Sequence, residues 1–224
     1  MNATASRVGI VFDLDGTLID SRLDIAHAAN HALGVHGFAQ LSPEEIATFV
    51  GDGARPLLAR AARIELEAPE LDGLLASFLE YYTAHPVDHT VILPGVELAL
   101  RALSRLPLAL CTNKPRVTTN AVLANLRLPV EFQVVVASGD LPKMKPDPLP
   151  LLHIAERLGL QPSELVMVGD GPQDIACARA AGARGVGVEG GILHRARLLA
   201  AEPHAMLDSL ADLPPLIERW FPTK

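Results

Sequence analysis

Short apolar runs rich in valine, isoleucine and leucine recur along the chain and predict buried β-strands. They occupy residues 8–12, 106–111, 132–137, 165–168 and 185–188. The stretches between the later runs have helical spacing and typical helix-stop residues, and they cover 115–126, 148–158 and 172–181. Because strands alternate with helices, we expect an α/β fold with a doubly wound, Rossmann-like, mostly parallel sheet.

One connection is far longer than the others. About 90 residues separate the first two predicted strands, well beyond an ordinary crossover. From 22 to 84 the pattern is helical, with helix starts at Ser42 and Pro69 and no convincing strand. We therefore expect an all-helical domain of residues 21–87 inserted into a core of residues 1–20 and 88–224, with hinges near Asp20 and near 85–90.

Composition and charge narrow the possible partners. Hydrophobic residues make up 49% of the 224 residues and charged residues 20%, as in an average globular protein. The 19 basic and 26 acidic residues give a net charge of -7, so we expect no nucleic-acid partner. No apolar stretch approaches the ~20 residues of a membrane helix, so we expect no membrane partner. Without a secretory signal region, and with Cys111 and Cys177 isolated, the sequence favours the reducing cytoplasm.

Four polar clusters each follow a predicted strand, and open parallel sheets bind ligands at the carboxyl ends of their strands. The clusters are residues 13–17, 112–114, 143–148 and 169–174. Asp13, Asp15 and Asp170 would repel one another there unless a cation neutralised them, and an all-oxygen ligand set suits Mg²⁺. Lys145 and Thr112 would supply a charge and a hydrogen bond to phosphoryl oxygens. Together these residues predict a phosphate site.

The clusters also resemble, in the same order, the four motifs of the haloacid dehalogenase superfamily. The resemblance rests on Asp-Leu-Asp-Gly-Thr from Asp13, on Thr112-Asn113, on Lys145 and on Gly169-Asp170 with Asp174. It implies that Asp13 is the nucleophile that forms an aspartyl-phosphate. It further implies that Asp15 is the general acid and base, and that Thr112 and Lys145 bind the phosphoryl group.

The same resemblance implies a Mg²⁺ cofactor. Asp170 would bind the ion together with the Asp13 carboxylate and the main-chain carbonyl of Asp15. Asp174 matches the second acid of the last motif, which steadies the metal site or its waters. The candidate metal residues are therefore Asp13, Asp15, Asp170 and Asp174.

Longer stretches narrow the resemblance to phosphoglycolate phosphatases, namely residues 12–21, 49–55, 112–115 and 145–148. The resemblance implies a helical cap with a specificity loop at 51–55, and a small phosphorylated metabolite, 2-phosphoglycolate, as substrate. The candidate substrate-binding residues are Thr17, Gly53, Arg55, Asn113 and Lys114. Arg55 could meet a second anionic group of the substrate. Lys114 could touch the substrate or pair with a site carboxylate, and the sequence does not decide between these two roles.

Two positions depart from the family pattern. Gly171 replaces a common serine, and Asp52 replaces a common asparagine. A carboxylate at position 52 would disfavour a substrate carboxylate unless it points away or pairs with Arg55.

Several alternatives stay open. The substrate could be another small sugar or sugar-acid phosphate, or the chain could be a phosphosugar mutase similar to β-phosphoglucomutase. A dehalogenase is disfavoured because that branch has no acid and base at the position of Asp15. A receiver module is disfavoured because Asp170 comes last in the chain. The sequence does not distinguish a monomer from a homodimer.

Weaker patterns favour structural roles. Residues 185–190 match a dinucleotide fingerprint, but their first glycine lies inside the strand predicted to be the last. His27 and His31 lie four apart on a predicted helix without an evident third metal ligand. Cys111 lies in a predicted strand, where packing is favoured over catalysis.

Overall fold

The fold is that of a computed structural model, which describes residues 8–189 and 195–222. The described residues form eight strands, namely β1 (Gly9–Phe12), β2 (Ile19–Asp20), β3 (Val91–Ile92), β4 (Leu108–Pro115), β5 (Val134–Ser138), β6 (Leu165–Gly169), β7 (Arg184–Val188) and β8 (Ala205–Leu207). Six of them form one parallel sheet in the order β5-β4-β1-β6-β7-β8. This sheet confirms the predicted α/β class.

The main sheet differs from the prediction in three details. The second predicted strand corresponds to β4, which begins later than expected and continues to Pro115. Thr112, Asn113 and Lys114 therefore lie inside this strand rather than after it. The third predicted strand corresponds to β5, which begins at Val134 rather than at residue 132. The strand expected to be last, β7, is followed by β8, which the sequence analysis missed because three residues are too few for a recognisable pattern.

The helices of the described residues are α1 (Arg22–Val35), α2 (Pro43–Ala47), α3 (Ala54–Ala62), α4 (Glu70–Ala84), α5 (Val96–Leu103), α6 (Arg116–Asn125), α7 (Leu149–Leu158), α8 (Pro172–Ala181), α9 (Arg195–Ala200) and α10 (Leu213–Trp220). The first four occupy the insert, and α1 packs against α2, α3 and α4. A capping box starts α2, since Ser42 and Glu45 exchange hydrogen bonds of 3.1 and 3.2 Å. No helix in the described ranges has the length and apolarity needed to span a bilayer.

Helices cover both faces of the parallel sheet, and alternate residues of each central strand enter different cores. In β1, Ile10 and Phe12 pack into the larger core, which continues into the insert. Val11 packs into the second core with Ala109 and Cys111 of β4. Cys111 is fully buried and free, which agrees with the expected packing role. Burial on both faces explains why these strands are continuous apolar runs.

The two linkers between core and insert lie side by side. They pair as the short antiparallel strands β2 and β3, with Ile19 opposite Ile92. Next to this pair, the buried carboxylate of Asp24 on α1 accepts hydrogen bonds from the backbone amides of His89 and Thr90 and from the Thr90 hydroxyl, at 2.6 to 3.1 Å. The start of the insert is thereby tied to its end, where the sequence analysis expects the hinges.

We expect Asp24→Ala to lower the free energy of unfolding by about 2–4 kcal/mol, because it leaves the amides of His89 and Thr90 without their acceptor. The measurement is urea unfolding of the variant against the wild type. Asp88→Ala is the matched control in the same linker, since Asp88 is exposed and pairs with His85 at the surface. The control should change stability by less than about 0.5 kcal/mol, and an equal loss in both variants would contradict the account.

Candidate active site

Three carboxylates converge at the carboxyl ends of neighbouring strands. Asp13 directly follows β1, Asp170 directly follows β6, and Asp174 lies in the first turn of α8. All three are buried, and each offers an oxygen within 4.8 Å of the oxygens of the others. Carboxylate oxygens at this spacing could hold a hard divalent cation. The side chain of Asp15 is not part of this group.

The loop after β1 can approach Asp170 because residue 16 is glycine. Gly16 has a φ of +83°, and a Cβ there would lie 2.3 Å from an oxygen of Asp170. The next residue, Thr17, donates its hydroxyl hydrogen to Asp170 at 3.2 Å and accepts the Asp170 amide at 3.1 Å. The structure therefore places Thr17, a candidate for substrate binding, against Asp170.

Lys145 contacts two members of the carboxylate group. Its ammonium is 2.9 Å from Asp13 and 2.6 Å from Asp174, and its side chain is fully buried. The other oxygen of Asp174 accepts the amide of Gly171 at 3.0 Å. One lysine thus pairs with two buried acids that come from different elements.

This buried environment shifts the pKa values of Asp13 and Lys145. Burial raises the pKa of Asp13 to about 7, with Lys145 lowering it and Asp174 raising it. Burial would lower the pKa of Lys145, but Asp13 and Asp174 raise it by more, so the lysine stays charged. A bound cation would replace the proton on Asp13.

Thr112 and Asn113 connect the strand β4 to its surroundings. The Thr112 hydroxyl accepts the backbone amide of Lys114 at 3.1 Å. The side-chain nitrogen of Asn113 donates to the carbonyl of Gly51 in the insert at 2.9 Å and to the carbonyl of Lys145 at 3.0 Å. Asn113 therefore joins the loop of the insert to the loop that carries Lys145.

Asp15 is part of a second charged group. One of its oxygens accepts the Ser21 hydroxyl at 2.6 Å, and its two oxygens lie 3.0 and 3.2 Å from the Lys114 ammonium. The ammonium also donates to the hydroxyl of Tyr82, on α4 of the insert, at 2.5 Å. Burial would lower the pKa of Lys114, but Asp15 and Tyr82 raise it by more. Lys114 therefore pairs with a site carboxylate, one of the two roles considered for it in the sequence analysis.

Ser21 and Tyr82 are site residues that the sequence analysis missed. Ser21 lies beyond the first motif, at the N-cap of α1. Tyr82 follows Phe78 by four positions, and both lie on the buried face of α4. A tyrosine at a core position needs a partner for its hydroxyl, which is the one signal in the sequence that could have indicated it.

A cavity of about 40 Å³ lies between the core and the insert. Asp13, Asp15, Thr112 and Lys114 border it from the core, and Asn113 and Pro115 also line it. The insert contributes a mostly apolar wall that comprises Ile25, Val50, Gly51, Gly53, Ala54, Leu57, Phe78 and Tyr82. Among the described residues, Lys114 is the one cation that lines this cavity.

Arg55 and Asp52 lie outside the cavity lining. Arg55 forms an exposed ion pair of 2.6 Å with Asp72. Asp52 forms an exposed ion pair of 2.5 Å with Arg60, so it pairs with a different arginine from the one considered in the sequence analysis. The carboxylate at position 52 therefore points away from the site, which removes the objection to a carboxylated substrate.

The histidines of α1 take separate positions. His31 stacks on Tyr81, with ring centroids 4.5 Å apart. His27 packs edge to face against His89, and these two histidines with Asp24 form a second group of potential metal ligands, which the sequence analysis did not find. Because Asp24 already accepts three donors of the linker, it has little capacity left for a cation.

Comparisons with known proteins agree with this geometry. A profile of the family described as haloacid dehalogenase-like hydrolase matches residues 10–188. The chain is 43% identical over 186 residues to a phosphoglycolate phosphatase of Chromobacterium violaceum, covering 80% of this chain and 83% of the relative. It is 37% identical over 215 residues to one of Pectobacterium atrosepticum, covering 93% and 92%. A crystal structure of a predicted phosphoglycolate phosphatase from Haemophilus somnus superposes with a TM-score of 0.85 at 29% identity, covering 96% of this chain and 99% of that one.

We expect Lys145→Met to lower the free energy of unfolding by about 3–5 kcal/mol at pH 7.5 in chelator, because it leaves Asp13 and Asp174 buried without their cation. Lys143→Met is the matched control two residues away, where the lysine is exposed and pairs with Asp147 at 3.2 Å. The control should change stability by less than about 0.5 kcal/mol. Equal stability of the two variants in urea unfolding would contradict the arrangement.

Proposed function

This chain belongs to the haloacid dehalogenase-like hydrolases and is a phosphatase, and on that premise we propose that it hydrolyses 2-phosphoglycolate to glycolate and phosphate. The observation that carries the choice of substrate is Lys114, the one cation that lines the cavity among the described residues. A single ammonium beside a small, mostly apolar wall suits a short phosphate ester with a second anionic group. The relatives named as phosphoglycolate phosphatases support the same substrate.

We propose Mg²⁺ as the cofactor, bound by the carboxylates of Asp13, Asp170 and Asp174 and by the main-chain carbonyl of Asp15. The three carboxylates fit such an ion, because each offers an oxygen within 4.8 Å of the others and all three are buried. When bound, the ion would offset the charge of the phosphoryl group and of the carboxylates.

In the proposed reaction, an oxygen of Asp13 forms a bond to phosphorus while the ester bond to glycolate breaks. Asp15 donates a proton to the departing glycolate oxygen. Asp15 then takes a proton from water as the water oxygen attacks the aspartyl-phosphate, which releases phosphate and restores Asp13. Lys145 and the hydroxyl of Thr112 stabilise the phosphoryl oxygens through charge and hydrogen bonding.

Lys114 has a second role in this proposal. Its ammonium lies at the cavity and next to Asp15, so a substrate carboxylate can share it. The pairing of Arg55 with Asp72 supports Lys114 rather than Arg55 as the group that binds the far end of the substrate. The monomeric or dimeric state, the cytoplasmic location and the domain boundaries at 21 and 87 stay predictions.

We expect Mg²⁺ to raise the thermal unfolding midpoint more at pH 8 than at pH 6. Asp13, with a pKa of about 7, is mostly protonated at pH 6, and the proton competes with the ion; at pH 8 the carboxylate is free to bind. Differential scanning fluorimetry with Mg²⁺ or chelator measures the shift. The matched variant Asp170→Asn should lose most of the shift at both pH values, and a shift that survives in it would contradict the proposed ligand set.

The substrate is tested by phosphate release from 2-phosphoglycolate and from ethyl phosphate, which has the same length and no carboxylate. We expect the wild type to prefer 2-phosphoglycolate, with activity lost in chelator. Lys114→Gln should lower that preference by about 10- to 100-fold, as for a charged hydrogen bond of 1.5–3 kcal/mol. Arg55→Gln is the comparison variant and should keep it.

Three other outcomes of this assay would change the assignment of the substrate or of the residue that binds it. A preference lost in Arg55→Gln and kept in Lys114→Gln would assign the carboxylate to Arg55. No preference in the wild type would overturn the proposed substrate while leaving the phosphatase. Turnover of phosphosugars without phosphate release would indicate a mutase instead.

A further inference from the structure

We infer that Tyr82 is a positioning residue that fixes the Lys114 ammonium at the cavity, and that it thereby sets the preference for phosphate esters that also have a carboxylate. This inference rests on the proposed function, because it concerns how the same site distinguishes its substrates. It assigns a role to a residue of the insert that lies outside the four motifs of the core.

Two contacts join Tyr82 to Lys114. The phenol oxygen accepts a hydrogen bond from the ammonium at 2.5 Å, and the ring centroid lies 4.2 Å from the same nitrogen. The hydrogen bond fixes a direction, whereas the cation–π contact is tolerant of small displacements. Removing the hydroxyl while keeping the ring would therefore release the direction of the ammonium and retain most of the packing.

Tyr82 is itself held in place. Its side chain is 1% exposed, and its ring packs edge to face on Phe78, with centroids 5.6 Å apart. Burial raises the pKa of the phenol to about 12, so the hydroxyl is neutral at physiological pH and can accept the lysine hydrogen. A rigid, buried acceptor adds a second fixed partner to a lysine side chain that is otherwise held by Asp15 alone.

The ammonium has three hydrogens to donate, and it contacts the Tyr82 hydroxyl and both oxygens of Asp15, the farther of which lies at 3.2 Å. Lys114 also borders the cavity, where a substrate carboxylate would share the ammonium with Asp15. Without the Tyr82 hydroxyl, the ammonium keeps Asp15 as its polar partner and is drawn toward it. The carboxylate of the substrate then loses a fixed partner, while an ester without a carboxylate loses nothing.

The contact also crosses from the insert to the core. Tyr82 lies on α4, whereas Lys114 lies on β4, and Asn113 next to it donates to the carbonyl of Gly51 in the insert. Lys114 and Asn113, which are neighbours on one core strand, thus both contact the insert. Lys114 does so through its ammonium, and Asn113 through its side-chain amide. The Lys114 ammonium, which would select the substrate, is therefore held at the cavity when the insert contacts the core as it does here.

The test compares Tyr82→Phe with Tyr81→Phe. Tyr81 is the neighbouring residue on α4, and its ring packs against His31 and His85 instead of Lys114. The readout is the ratio of kcat/KM for 2-phosphoglycolate to kcat/KM for ethyl phosphate. We expect Tyr82→Phe to lower this ratio about tenfold, mainly through a higher KM for 2-phosphoglycolate, and Tyr81→Phe to leave it unchanged.

A double variant tests whether Tyr82 acts through Lys114. Because the hydroxyl has no effect once the ammonium is gone, Lys114→Gln with Tyr82→Phe should give the same ratio as Lys114→Gln alone. A further drop in the double variant would overturn the inference. So would equal losses on both esters in Tyr82→Phe, which is the result of a general structural role.

Failure of the inference is distinguishable from failure of the proposed function. A wild type without preference for 2-phosphoglycolate would overturn both. A clear preference in the wild type that survives Tyr82→Phe would overturn the role of Tyr82 alone.

Discussion

The buried ion pairs of Lys145 are the interaction on which the rest of the site depends. Asp13, Asp170 and Asp174 lie close together where solvent is excluded, and such a group is unfavourable without compensating positive charge. Lys145 supplies that charge from a third loop, and its contacts to Asp13 and Asp174 tie together elements that are far apart in sequence. The pKa of Asp13, raised to about 7, indicates that one lysine does not fully compensate for the burial. A divalent cation would complete the compensation.

Much of this arrangement could be predicted from the sequence, for physical reasons. Strands buried on both faces are continuous apolar runs, so β1, β4, β5, β6 and β7 were recognisable. Side chains at their carboxyl ends meet at one sheet edge, so Asp13, Thr112 and Asp170 could be placed together without coordinates. The strand β8 could not be found, because it has three residues and no pattern of its own.

The contribution of the insert to the site follows less directly from the sequence. Helical periodicity identifies the buried face of α4 but not which core residue that face meets, so Tyr82 was missed. Charge type singled out Arg55 as one of the few cations near the glycines of the loop, yet Asp72 is close enough to pair with it at the surface. Which cation lines a cavity depends on such competing partners, and these depend on packing between segments distant in sequence.

The central claim is that Asp13 is the nucleophile, and rapid-quench trapping tests it most directly. The enzyme is mixed with 2-phosphoglycolate labelled on phosphorus, quenched in acid within milliseconds, and digested to locate the label. The account predicts label on the peptide that contains Asp13, appearing before free phosphate and absent in Asp13→Asn. Release of phosphate at the wild-type rate with no labelled peptide at any time, or label on another residue, would contradict it.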